Sequence, residues 1–228
     1  DQDKYDLSSW RVACVGAERI HPEPLRRFAH VLKAANFNPK AFVPCYGMAE
    51  CALAISFAPL GEGLDAMNLD KDLMATTGKA KLVSGSSEIV DKSVLSFVNC
   101  GKILPSFEMS IRDDEGNELG DYVCGRICLR GDSVMSGYFQ NKDATEEVLD
   151  EHGWLDTGDI GFRIGDDVVV TARRKDVIIV NGRNIWPHDL EFLAESLPGV
   201  RFGNVSAFSF SDDIGTDNVV IVVESRES

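Results

Sequence analysis

The chain has 228 residues, 44% hydrophobic and 26% charged, and a formal net charge of -14. That length suits one large domain or two modest ones with real cores, and the composition is ordinary for a soluble globular protein. With this charge and no long basic run, nucleic acid and anionic membranes are poor partners, because their phosphates attract Lys and Arg. No apolar run is long enough for a transmembrane segment, and no stretch has the make-up of a signal peptide. Six cysteines (Cys14, Cys45, Cys51, Cys100, Cys124 and Cys128) lie among apolar neighbours without a CxxC pair. Zinc is therefore not expected, and buried, reduced thiols in a cytoplasmic protein are.

In chain order, Arg11 to Gly16 is an apolar run ending in Gly and reads as a buried strand. From Pro22 the pattern turns helical, with Leu25, Phe28, Ala29 and Leu32 at i, i+3, i+4 and i+7. Asn36 to Pro39 reads as its stop. Ala41 to Cys45 is a second strand, leading into a loop over Pro44 to Glu50, and Cys51 to Phe57 reads as a helix. This alternation suggests part of an α/β layer. Residues 59–98 are rich in Gly, Ser, Thr, Asp and Lys with weak periodicity, and read as a long loop or partly ordered excursion. Beyond Cys100 the chain turns to β: Phe107, Met109 and Ile111 alternate with polar residues, Asp113 to Gly116 makes a turn, and Gly125 to Gly131 alternates again. In the Val134 to Phe139 stretch, Tyr138 reads by itself as a core aromatic.

The densest chemistry lies between Trp154 and Pro187. An acidic turn, Asp156-Thr157-Gly158-Asp159, precedes a β run from Val168 to Thr171, a basic cluster at Arg173-Arg174-Lys175, and a second β run from Val177 to Val180. A carboxylate accepts from hydroxyls and a guanidinium donates in a fixed fork, so the two suit one polyhydroxylated ligand. By spacing alone, a pair of hairpins with charged turns is the favoured reading. Asn181-Gly182 is a hairpin signal. Pro187 opens a helix carrying Leu190, Leu193, Ala194 and Leu197, and Val205 to Phe210 and Val219 to Val223 read as strands.

These late motifs resemble those of the adenylate-forming superfamily, which includes acyl-CoA synthetases, luciferases and nonribosomal-peptide adenylation domains. RKDVIIVNGRNIWPHDLE is most similar to the fatty acyl-AMP ligase branch. Tyr46-Gly47-Met48-Ala49-Glu50 resembles the family's YGxxE motif, Gly16-Ala17-Glu18 the loop flanking adenine, and Val134 to Thr145 its GYxxxxxxT motif. Two departures stand out. Ala49 replaces the usual Thr or Ser and again favours the fatty acyl-AMP ligase branch, and Ala172 replaces the Gly that usually precedes the hinge Arg.

The resemblance implies ATP and Mg²⁺ as cofactors. Tyr46 would stack on adenine, with Gly16, Ala17, Glu18, Gly47, Met48 and Ala49 around the nucleotide. Glu50 would be the metal ligand and a catalytic residue, Asp159 and Arg173 would hold the ribose, and Lys175 would be the hinge. It also implies a mixed α/β and α+β fold. Residues 1–98 would end the α/β layer of a large AMP-binding domain, with an insertion near 59–98. Residues 99–174 would form a β-barrel subdomain, and 175–228 the start of a small C-terminal domain.

The implied parent joins a fatty acid to ATP as an acyl-adenylate and passes it to an acyl carrier protein or a polyketide synthase carrier domain. The alternatives are an acyl-CoA synthetase, which transfers to coenzyme A, and a catalytically silent nucleotide-binding module. A β-rich domain with coincidental motifs requires four ordered matches by chance. The family's phosphate loop and terminal catalytic Lys are not in this stretch, so residues 1–228 are expected to be a C-terminal-half fragment, inactive alone.

Overall fold

A computed structural model describes residues 4–83, 93–180, 183–211 and 217–225. The chain divides into two compact units, residues 1–74 with 78–171 and residues 75–77 with 172–228.

The first unit opens with strand β1 (Ala13–Val15), helix α1 (Pro22–Val31) and strand β2 (Phe42–Met48). β1 and β2 are parallel, with Ala13 opposite Phe42, so α1 is the crossover that parallel strands require. Pro22 begins α1, and Pro22 and Ala29 are its buried residues. A 3-10 turn over Leu32–Ala35 ends at Asn36 in the left-handed region, φ +60°, which Asn tolerates better than most residues.

Two expectations fail next. Pro44 to Glu50 is not a loop: β2 runs through Met48, and a 3-10 turn, Ala49–Cys51, follows. Cys51 to Phe57 is not a helix but contains strand β3 (Leu53–Phe57), antiparallel to β2. Here tertiary pairing overrides an apolar run whose period is ambiguous. Ile55 and Ser56 are fully buried, and the Ser56 hydroxyl donates to the Cys100 carbonyl at 2.9 Å. The hairpin is tight enough that a Cβ on Gly47 would lie 1.9 Å from the Leu53 carbonyl oxygen. Ala52 and Leu53 take positive φ, +54° and +105°, to make the corner.

The stretch 59–98, read as a long loop or partly ordered excursion, carries regular structure in its described residues, 59–83 and 93–98. Strand β4 (Ala66–Asp70), helix α2 (Lys71–Thr77) and strand β5 (Val94–Val98) lie within them, and β4 pairs antiparallel with β5. Met67 faces Phe97 and Leu69 faces Leu95, so one face of this ribbon is apolar and buried. Asp70 caps α2 by accepting from the Leu73 N–H, and Gly78 (φ +69°) closes it. Polar composition hid an alternation carried by only a few side chains.

The rest of the unit adds β6 (Lys102–Ile103), β7 (Phe107–Arg112), β8 (Gly125–Gly131), helix α3 (Lys142–Val148), β9 (Leu155–Ile164) and β10 (Asp167–Arg173). One eight-stranded sheet runs β1-β2-β3-β6-β10-β9-β8-β7. β6 to β10 are hydrogen-bonded into the same sheet as β1 to β3. Its core joins Tyr46, Ile55, Ile111, Ile127, Leu129 and Val168. The Asn99 amide fastens the join: it donates to Asp65 and Asp167 at 3.1 and 2.8 Å, and its oxygen accepts from the Gly101 N–H at 2.8 Å.

In the second unit, β11 (Ile178–Val180) and β12 (Arg183–Ile185) are antiparallel. The Asn181-Gly182 turn expected between them lies outside the described residues. Helix α4 (Pro187–Glu195) packs on the antiparallel pair β13 (Val200–Ser211) and β14 (Asp217–Ser225). Glu191 and Glu195 accept from the backbone N–H groups of Ala207 and Gly203. Ala194 is buried, but Leu193 and Leu197 are exposed. Among the described residues no helix is long and apolar enough to cross a membrane.

Gly101 offers a direct check on the sheet. Its φ is +77°, and a Cβ there would lie within 2.4 Å of the Phe57–Ala58 backbone. Gly101→Ala adds left-handed strain to overpacking and should cost roughly 2–4 kcal/mol in urea denaturation. A loss well under about 1 kcal/mol would mean that the β3–β6 junction yields.

Candidate active site

The acidic Asp156 to Asp159 segment is not a turn but a bulge inside β9. Arg126 pairs with Ile160 while Cys128 pairs with Asp156, so β9 carries extra residues opposite Ile127. Gly158 takes φ +71° at its crest. The Thr157 hydroxyl donates to the Ile127 carbonyl at 2.8 Å and accepts from the Asp159 N–H at 3.1 Å. Asp156 accepts from the Gly158 N–H and pairs with the Arg126 guanidinium at 2.7 Å. The bulge re-aims Asp159, which is only 4% exposed.

The Tyr46 hydroxyl donates to Asp159 Oδ2 at 2.6 Å, a short charge-assisted bond between residues 113 positions apart. Two motifs that the sequence places far from each other therefore meet, although three strands separate β2 from β9 in the order of the sheet. Beyond Tyr46, Met48 packs on the core, Ala49 is exposed, and Glu50 lies half-buried in the 3-10 turn. The Gly16-Ala17-Glu18 loop abuts β2: a Cβ on Gly16 would lie 2.6 Å from the Cys45 carbonyl oxygen. Ala17 takes φ +72°, and both it and Glu18 are exposed.

Tyr138 overturns its reading as a core aromatic. It is 38% exposed, and its hydroxyl donates to Glu50 Oε1 at 2.9 Å. Burial, followed by that bond to Glu50, pushes its phenol above the ordinary range. The Met135 N–H also donates to the Glu50 carbonyl at 2.8 Å. The GYxxxxxxT spacing is visible in the sequence; that its aromatic reaches the YGxxE glutamate is not.

Among the described residues no group of three or more His, Cys, Asp or Glu could hold a metal. Glu50 nevertheless fits Mg²⁺, which takes one or two carboxylates and completes its shell with water and phosphate oxygens. Arg173 and Lys175 belong to the second unit. Arg173 is exposed at the end of β10, and Lys175 is exposed in the 3-10 turn Arg174–Asp176. Ala172 lies within β10 without positive φ, so this backbone does not require the Gly it replaces.

The cysteine reading is corrected in part. All six thiols are free, and Cys51, Cys100 and Cys128 are buried, but Cys14 is exposed. Burial pushes Cys100 and Cys124 up to about 12, and burial with the nearby Glu50 charge pushes Cys51 up to about 11.

The Tyr46 bond makes a clear prediction. Tyr46→Phe keeps the ring but removes a donor from a buried carboxylate, and should destabilise the protein by about 1–3 kcal/mol in urea titration. An unchanged midpoint would mean that other donors satisfy Asp159 fully.

The sequence profile of the AMP-binding enzyme family matches residues 1–139. A Caulobacter vibrioides protein described as an acyl-CoA synthetase is 44% identical over 98% of this chain and 38% of its own. The long-chain-fatty-acid–AMP ligase FadD26 of Mycobacterium tuberculosis is 31% identical over 99% of this chain and 40% of its own. A structure from a study of fatty acyl-adenylate ligases of E. coli and L. pneumophila superposes with a TM-score of 0.87 at 40% identity, covering 100% of this chain and 40% of that one. The fatty acyl-adenylate ligase of L. pneumophila in complex with acyl adenylate and pyrophosphate gives a TM-score of 0.69 at 28% identity, covering 97% and 39%. The chain thus spans about two fifths of the length of these relatives. With its motifs placed on the large mixed sheet of that fold, the chain belongs to the AMP-binding enzyme family.

Proposed function

We propose that the protein carrying this chain is an ATP-dependent fatty acyl-AMP ligase. A fatty acid carboxylate oxygen would attack the α-phosphorus of ATP, forming the acyl-phosphate bond as the bond to pyrophosphate breaks. The observation that carries this reading is the buried Asp159 carboxylate, set by a bulge and bonded to Tyr46. In this reading Tyr46 offers its ring to adenine, and Gly16 to Glu18 and Gly47 to Ala49 border the nucleotide. Asp159 accepts from ribose hydroxyls, and Arg173 donates to the ribose. Glu50 holds Mg²⁺, which when bound would neutralise phosphate charge. Lys175, in a short turn just past the boundary between the two units, is the hinge between half-reactions.

The acceptor we propose is the phosphopantetheine arm of an acyl carrier protein. Residues 59–98 carry a paired ribbon and a capped helix, with Leu69, Met74 and Phe97 fully buried. An ordered excursion of this kind can raise the free energy of one domain arrangement. A floppy one cannot, and a few kcal/mol suffice to depopulate that state. The second reading is an acyl-CoA synthetase, which the 44%-identical Caulobacter vibrioides relative favours by its description.

Two measurements on the whole protein test these proposals. Asp159→Ala should weaken ATP binding about tenfold or more, because charge-assisted hydrogen bonds to the ribose are lost. Wild-type affinity in a folded variant would remove the ribose role. In the second, labelled fatty acid should appear on a phosphopantetheinylated carrier protein, with little acyl-CoA formed. Acyl-CoA formation as fast as adenylate formation would establish the synthetase reading.

A further inference from the structure

Tyr138 contributes little to the core, yet several interactions fix where its hydroxyl lies. Gly137 takes φ +145°, and a Cβ there would lie 2.8 Å from Thr145 Cγ2, so Thr145 packs directly against the chain before Tyr138. The Tyr138 N–H donates to Thr145 Oγ1 at 2.9 Å, and the Thr145 hydroxyl donates to the Asn141 carbonyl at 2.8 Å. Asn141 in turn caps α3 by accepting from the Ala144 N–H. The Met135 N–H bonds the Glu50 carbonyl at 2.8 Å. The segment is thus anchored to a helix at one end and to the Glu50 turn at the other. From that frame the Tyr138 hydroxyl reaches Glu50 Oε1 at 2.9 Å.

The choice of donor matters. A glutamate side chain loses rotamer freedom when it is held, and a ligand gains affinity if that loss is incurred before it arrives. Lys or Arg would order the carboxylate too, but would neutralise the charge that attracts a cation. A phenol orders it and leaves the charge in place. Among the described residues Glu50 has no ion pair, and Tyr138 is the side chain its carboxylate accepts from.

We propose that Tyr138 is a positioning residue for Glu50, ordering its carboxylate for the divalent cation that accompanies the nucleotide triphosphate. The proposal rests on the reading of Glu50 as a metal ligand given above. It differs from a purely structural clasp in what it predicts for the cation.

The test uses the whole protein with Tyr138→Phe, Glu50→Gln and the double variant. Mn²⁺ is the probe, its binding followed by electron paramagnetic resonance with a non-hydrolysable ATP analogue present. Tyr138→Phe should weaken Mn²⁺ binding about five- to tenfold, because a hydrogen bond to a charged group is lost. Affinity for the analogue without metal should stay within about twofold, and the double variant should bind Mn²⁺ no more weakly than Glu50→Gln, because the two residues act as one unit. Wild-type Mn²⁺ affinity in Tyr138→Phe, with weakened binding in Glu50→Gln, would overturn the positioning role alone. Unchanged affinity in Glu50→Gln would overturn the metal reading and this proposal together. If Tyr138→Phe unfolds below wild type, Thr145→Val loosens the anchor while keeping the phenol. It should also weaken Mn²⁺ binding, and wild-type affinity there would overturn the proposal.

Discussion

Asp159 is a carboxylate taken almost wholly out of water, and the centre of the first unit is arranged around holding it. An ionised carboxylate is costly to bury unless hydrogen bonds replace its hydration. The Tyr46 phenol supplies one at 2.6 Å, which requires β2 to continue past its apolar run so that Tyr46 is a strand residue. The bulge supplies the aim, and the Thr157 hydroxyl, bonded to Ile127 and to the Asp159 N–H, fixes the bulge. Tyr46, the bulge and Thr157 thus all bear on that single carboxylate.

The same economy explains where the backbone is strained. Gly47 lets the β3 backbone come closer than any side chain would permit, and Ala52 and Leu53 take left-handed conformations to turn the corner. Non-glycine residues in such conformations cost free energy and persist where the surroundings over-determine them. Here the surroundings are the buried Ile55 and Ser56 on one side and the Glu50 turn on the other. The corner that carries Glu50 is therefore held by the sheet core rather than by local propensity.

The two compact units divide at Thr171 and Ala172, inside β10 rather than in a flexible linker. β10 ends at Arg173, and the short 3-10 turn Arg174–Asp176, which carries the proposed hinge Lys175, follows it directly. The ribbon β4–β5 within 59–98 belongs to the first unit, while α2 ends in the second.

Sequence alone determined what depends on residue type at fixed local spacing. The β1–α1–β2 crossover followed from apolar periodicity and the Pro22 start, and β7 from its alternation. The family followed from short motifs in which glycines and charged residues stand at fixed spacing. Tertiary structure decided the rest. Cys51 to Phe57 became a strand because β2 and β6 offered hydrogen-bonding edges, and no local periodicity records a neighbour. The excursion within 59–98 became ordered because Leu69, Leu95 and Phe97 met on one face, a pairing that composition conceals. Asp156 to Asp159 reads as a turn in one dimension, and only its register against β8 makes it a bulge. By itself Tyr138 reads as a core aromatic; folding instead places its hydroxyl on Glu50, 88 residues away in the chain. Spacing along the chain fixes which groups are available, and long-range contacts decide which of them meet.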